Sequence, residues 1–335
     1  MTTSYLGLIQ QGLFFGFLIT AITALVLRIT FPFFNPILKR QHPATRANNL
    51  LLIIILPILM AFTVISLALF PSVLQLLGLG SDHCLGHIEG HIHFCLIHRP
   101  APIESWLVWM PGLFFLLLLL STAFGIARDI WASIQFQKTL ENYIDIPNVH
   151  GFVLLDAQTP LALTCGLFKQ TPYISSALLN RLSDEERGIL LAHEHAHGRR
   201  KDALKKLIVR NFIQAHLPVF RGKLMSRFNL ACEQACDLAA VDKNRSPNKV
   251  AGLLLKIEKI YGQHLILPDA LAANILSPAE SDLPERVYAL LNGTQNKQQS
   301  KTLLILLVIA ASLLFLEHDL IHDVLEHAMF LIAGD

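Results

Sequence analysis

His193 and His197 stand four residues apart, and Glu194 directly follows the first of them. Positions four apart share one face of a helix, so both imidazoles can hold one metal ion at about 2.0–2.1 Å from nitrogen. Glu194, one position on from the first ligand, is offset so that its carboxylate reaches a water on that metal rather than the metal itself. Zinc lowers the pKa of such a water towards about 7; the carboxylate would take its proton, and the hydroxide would attack a peptide carbonyl polarised by the ion. A catalytic zinc uses three protein ligands and keeps one position open. Glu233 is the natural third ligand. Asp237, four residues later on the same face, is placed to hydrogen-bond a ligand histidine and orient it.

The five-residue pattern from His193 to His197 arises by chance in unrelated chains, and a solvated helix face is the plain alternative. Glu233 and Asp237 could likewise be ordinary exposed carboxylates. Two features raise the metal reading. Ser183 with Glu186 three residues later forms a capping box that starts a helix just upstream, and the second acidic helix follows at a workable distance. His195 faces elsewhere on the helix and reads as structural. Cys165, Cys232 and Cys236 read as small core residues, with a cysteine-containing ligand set as the less favoured alternative.

These helices must be carried on a particular kind of chain. Its 335 residues are 53% hydrophobic and 16% charged, with a mean hydropathy of +0.49, against about 25% charged for ordinary soluble domains. The excess lies in four blocks. Residues 6–27, 50–70 and 106–126 each reach the roughly 20 residues needed to cross a bilayer, the third with Trp106 and Trp109 as interfacial anchors. The fourth, Leu303 to Leu316, is shorter and borrows from the residues that follow. The first block lacks the basic start and cleavage site of a signal peptide and reads as a retained span. All lysines and arginines except Arg28, Lys39, Arg40, Arg46 and Arg99 fall in residues 128–301. By the positive-inside rule the large segment is then cytoplasmic and both termini are outside. A net charge of +2 without a basic stripe gives no reason to expect direct nucleic-acid binding.

The stretch from Ile174 through Asp202, ISSALLNRLSDEERGILLAHEHAHGRRKD, resembles the core of the BlaR/MecR-type antirepressor membrane metallopeptidases. Their pattern continues from the paired histidines to an arginine and an aspartate, here Arg200 and Asp202, and their downstream acidic motif falls on Glu233 and Asp237. HtpX-like and CAAX-processing membrane peptidases share the histidine pair and the acidic helix; the Arg200 and Asp202 spacing favours the first family. The resemblance implies a gluzincin-like zinc domain with a cytoplasmic site, four spans, and a peptide or protein substrate, such as a DNA-binding repressor. It also puts a substrate-binding edge strand in the hairpin read over Leu161 to Ile174, with Gly166 in its turn, after a short strand over Phe152 to Leu155. Arg286, in Pro284-Glu285-Arg286-Val287, resembles a late arginine motif and is a candidate for carboxylate or substrate binding, with a surface salt bridge as the alternative. The β-lactam sensors of that family carry a penicillin-binding domain after the last span; this sequence stops at Asp335, so the expected input is not a penicillin captured by such a domain.

Between the second and third spans lie His83, Cys84, His87, His91, His93, Cys95 and His98, and the C-terminal tail adds His318, His322 and His327. Thiolates and imidazoles suit zinc or copper(I), while a Cys84–Cys95 disulfide in an oxidising compartment is an equal reading. The sequence thus predicts a mainly α protein with three parts. Residues 1–127 are a three-span membrane part with an outer loop at 81–104. Residues 128–301 are an inserted cytoplasmic α+β zinc metallopeptidase domain with one catalytic ion. Residues 302–335 are a fourth span and outer tail. The expected protein is a multi-pass enzyme of a bacterial-type inner membrane acting in signalling. Quality-control proteolysis, or a non-proteolytic metal sensor or scaffold, are the rivals.

Overall fold

The computed structural model describes residues 5–79, 94–97, 100–141, 144–146, 151–167, 170–241, 246–262, 282–292 and 324–325. Three long helices carry the apolar blocks: α1 (Tyr5–Arg40), α2 (Pro43–Leu76) and α3 (Trp106–Glu141). Each is long and apolar enough to cross a membrane by length and composition. Their apolar side chains face outward as much as inward. On α3, Leu117, Leu120 and Phe124 are all more than half exposed, which water would penalise and lipid would not.

The helices run past the apolar blocks on which the spans were drawn. A 36-residue helix such as α1 is roughly 54 Å long, against about 30 Å of bilayer core. The extra turns are helix-compatible. Lys39 and Arg40 sit in the last turn of α1, where cations complement the helix dipole. Pro43 opens α2, where its missing N–H costs nothing, and the His42 ring accepts the Ala44 N–H at 3.2 Å.

The overshoot has a packing purpose. Phe31 and Leu38 of α1 and Leu50 and Ile54 of α2 form one buried cluster with Phe220, Leu224 and Phe228 of the following domain. At the other end of the bundle, Phe14, Phe15, Ala68, Phe94 and Val108 form a second cluster, which also takes in Leu325. The predicted fourth span at Leu303 to Leu316 lies outside the described residues.

The domain after α3 begins with a four-stranded sheet of order β1-β2-β4-β3: β1 (Ile144–Ile146), β2 (Val153–Leu155), β3 (Ala162–Cys165) and β4 (Thr171–Ser175). β2 pairs with β4 in parallel, and β3 pairs with β4 antiparallel. The strand and hairpin expected from sequence are thus present, with Gly166 at φ 102°, a conformation open chiefly to glycine. β3 lies at the edge. Among the described residues six α-helices follow: α4 (Ser176–Leu179), α5 (Asp184–Arg200), α6 (Asp202–Phe212), α7 (Pro218–Ala240), α8 (Pro247–Gly262) and α9 (Leu283–Leu291). Ile174, Leu178, Ile189, Leu190, Leu253 and Leu290 form the core beneath α5.

Candidate metal centre

The site is assembled on α5 and α7. At the start of α5, Ser183 Oγ accepts the Glu186 N–H at 3.3 Å and Glu186 Oε2 accepts the Ser183 N–H at 2.8 Å, the reciprocal box read from sequence. Asp184, Glu185 and Glu186 occupy the first turn, where the dipole favours negative charge. The helix then presents His193, Glu194 and His197 from its C-terminal half.

The two Nε2 atoms lie 3.2 Å apart. Glu233 Oε2, from α7, lies 3.6 Å from the first and 3.7 Å from the second. Donors around a tetrahedral ion at about 2.0–2.1 Å are roughly 3.3–3.4 Å apart, so this triangle fits a small cation. The far sides of the rings say the same. His193 Nδ1 is 3.0 Å from Asp237 Oδ1, and His197 Nδ1 is 3.0 Å from Asp202 Oδ2. Ionised carboxylates only accept, so each Nδ1 carries its proton. Both Nε2 atoms then face the same small space as a carboxylate oxygen, an arrangement in which a proton or a metal cation offsets the repulsion of the lone pairs.

The site residues hold charge to match. Burial pushes His193 down, but hydrogen bonds to Asp237 and Glu233 outweigh it and lift its pKa to about 10. Burial likewise opposes, and the Glu233 charge with the Asp202 hydrogen bond overcomes, in raising His197. Burial would raise Glu233; the charges of His197 and Lys206 hold it well below the usual range. Asp237 is also lowered, Arg286 overcoming the burial penalty. These pockets favour positive charge at the Nε2 pair and negative charge behind it.

Asp237 and Asp202 are each only 1% exposed, so both carboxylates need partners. Arg286 of α9 gives Asp237 a two-point clamp, Nε donating to Oδ2 at 2.8 Å and Nη2 to Oδ1 at 2.6 Å, and its Nη1 lies 3.5 Å from Glu233 Oε2. Of the two roles the sequence offered Arg286, carboxylate or substrate binding, its fork takes the first, on the carboxylates of the centre. Asp202 accepts from Arg200 Nε at 3.2 Å and meets Cys236 Sγ at 3.5 Å. It reaches His197 because Lys201, between α5 and α6, takes φ 54° and ψ 42°, a left-handed residue that turns the chain back. Lys206 donates to Glu233 Oε1 at 3.3 Å.

Glu194 is 7% exposed, and its Oε2 accepts from Thr164 Oγ1 of β3 at 2.7 Å. His195 packs towards Gly151, where a Cβ would come within 3.3 Å of its Nε2, consistent with a structural role. Cys165, Cys232 and Cys236 are buried. Burial pushes the first two thiols up to about 12 and raises the third. Among the described residues, His197, Asp202 and Cys236 also lie close enough to share a metal, but Asp202 is already bound to His197 Nδ1. Between α2 and α3, buried Cys95 has its Sγ 3.2 Å from Ser72 Oγ. Cys84, His87, His91 and His93 lie outside the described residues.

Sequence spacing marked Asp202 but not what it holds. Lys206 and Thr164 carried no local signal, because their partners lie 27 and 30 residues away.

No curated protein and no solved structure matches the chain. The model of the BlaR1 peptidase M56 family does, over residues 154–290. The matched stretch runs from β2 into α9 and contains both histidines, Glu194, Glu233, and every carboxylate and cation that orients them. Over residues 154–290 the chain is thus similar to the BlaR1 peptidase M56 family, and this stretch follows three helices of membrane-spanning length.

Proposed function

We propose that this protein is a membrane-embedded, zinc-dependent endopeptidase whose domain faces the cytoplasm, and that it serves signalling by cleaving a cytoplasmic repressor or itself. One observation carries the reading: two imidazole Nε2 atoms and one carboxylate oxygen converge while both Nδ1 atoms are tied to buried aspartates. Two nitrogens, one oxygen and an open position are a catalytic zinc set. When bound there, zinc supplies the Lewis acidity that polarises a peptide carbonyl and acidifies water.

His193, His197 and Glu233 would hold the ion, and Asp237 and Asp202 keep the rings aimed. Glu194 takes a proton from the attacking water on its carboxylate and delivers it to the leaving amine. β3, at the sheet edge beside α5 among the described residues, is the strand to which an extended peptide can add. The basic residues of 128–301 support a cytoplasmic domain. A fourth crossing fits too: Leu290 belongs to the peptidase core, whereas Leu325 packs with Phe14 and Phe15 at the opposite end of the bundle.

The test uses the detergent-solubilised full chain, fluorescently labelled casein and a metal assay. The wild type is expected to bind one zinc and cleave casein in a manner lost to chelators. Glu194→Gln is expected to bind zinc equally but lose at least about a hundredfold in rate. Undiminished cleavage by Glu194→Gln would remove the proposed base. A biological output that survives this variant would favour the scaffold reading over the peptidase.

A further inference from the structure

We propose that Thr164 is a positioning residue for the general base: its hydroxyl, on the edge strand β3, holds the Glu194 carboxylate in the orientation that proton transfer requires. The proposal rests on the peptidase reading above and deepens it.

The strand order makes β3 the outermost strand on the α5 side. Along β3 the buried residues are Leu163 and Cys165, which belong to the core cluster behind the sheet. By alternation Ala162 and Thr164 point to the opposite face, towards α5. There Thr164 Oγ1 lies 2.7 Å from Glu194 Oε2 and 3.1 Å from the Glu194 main-chain carbonyl oxygen. A hydroxyl has one proton to give. The shorter contact has the length of a charge-assisted bond to a carboxylate.

The effect follows from what each side chain can do alone. A glutamate on a helix has three rotatable bonds, and nothing on α5 itself fixes its last one. Threonine is stiff at its single heavy-atom torsion, and here its backbone is paired with β4 opposite Pro172. One oxygen of Glu194 is thereby pinned to the sheet, and the other is left for the proton. Because the pin belongs to the strand that would receive the peptide, the base and the substrate share one reference frame. Misplacement of a reacting group by an ångström can cost about a hundredfold in rate.

The test compares Thr164→Val, which keeps shape and loses the hydroxyl, with Thr164→Ser, which keeps the hydroxyl. On labelled casein, Thr164→Val is expected to lower kcat by about 10- to 100-fold, with KM within about threefold and zinc content unchanged, and Thr164→Ser is expected to restore most of the rate. A Thr164→Val enzyme with wild-type kcat overturns the proposal, as does a Thr164→Ser enzyme no better than the valine form. A second readout needs neither metal nor turnover. In metal-stripped protein, Thr164→Val is expected to lower the thermal midpoint in the wild-type background but not on top of Glu194→Ala. Equal lowering in both backgrounds overturns the contact. This cycle decides the point even if casein is not cleaved, an outcome that would count against the peptidase reading instead.

Discussion

The two aspartates behind the histidines do the same job from opposite directions, and each can be removed by itself. Asp237→Asn and Asp202→Asn are each expected to weaken zinc binding by about 10- to 100-fold, measured by competition with a chromophoric chelator. Unchanged affinity in both would mean that the rings need no orienting partner. Arg286 sets a sharper contrast. Arg286→Leu leaves the buried Asp237 carboxylate without its clamp and is expected to cost about 3–5 kcal/mol in denaturant unfolding. Arg227, 3.8 Å from the largely exposed Glu285, should cost no more than about 1 kcal/mol when replaced by alanine. Equal effects would show that the clamp is ornamental. The histidine pair and the Glu233 and Asp237 pair were legible because each repeats at i and i+4 on one helix. The connections among the residues that serve them were not: Arg286 is 49 positions from Asp237, and only the folded chain brings them together.

At the level of elements, α5 depends on how it starts and how it stops. Ser183→Ala removes the side-chain half of the capping box and is expected to cost about 0.5–2 kcal/mol. Lys201 holds a left-handed conformation that costs a branched residue more than a flexible one. Lys201→Ile is expected to destabilise by roughly 1–2 kcal/mol more than Lys201→Gly, and to weaken zinc binding through Asp202; thermal unfolding and the chelator assay read the two effects. The apolar blocks predicted the three long helices correctly but not their ends. Hydropathy reports what lipid touches, whereas the outer turns of α1 and the first turns of α2 are held by Phe220, Leu224 and Phe228 of α7. The same packing brings α2 close to Glu233. Arg46 of α2 hydrogen-bonds Gln234, the neighbour of Glu233, and Gln234 Nε2 donates to the Glu285 carbonyl at 2.9 Å.

Across the whole molecule, the three helices of spanning length and the mixed sheet-and-helix domain match the class expected from composition and block lengths. The sidedness rests on charge and on the two buried clusters at opposite ends of the bundle. A cysteine introduced at Val324, which is exposed beside Leu325, is expected to react with a membrane-impermeant maleimide in intact cells, above the background of the parent protein. One introduced at Glu185 is expected to react only after lysis. The reverse pattern would invert the topology and put the site across the membrane from the proposed substrates. The central claim concerns the cation. Zinc-edge X-ray absorption on the purified full chain reads its neighbours directly. The account predicts two imidazole nitrogens and carboxylate or water oxygens at about 2.0–2.2 Å; a sulfur shell at about 2.3 Å, or loss of neither imidazole in His193→Ala and His197→Ala, would contradict it.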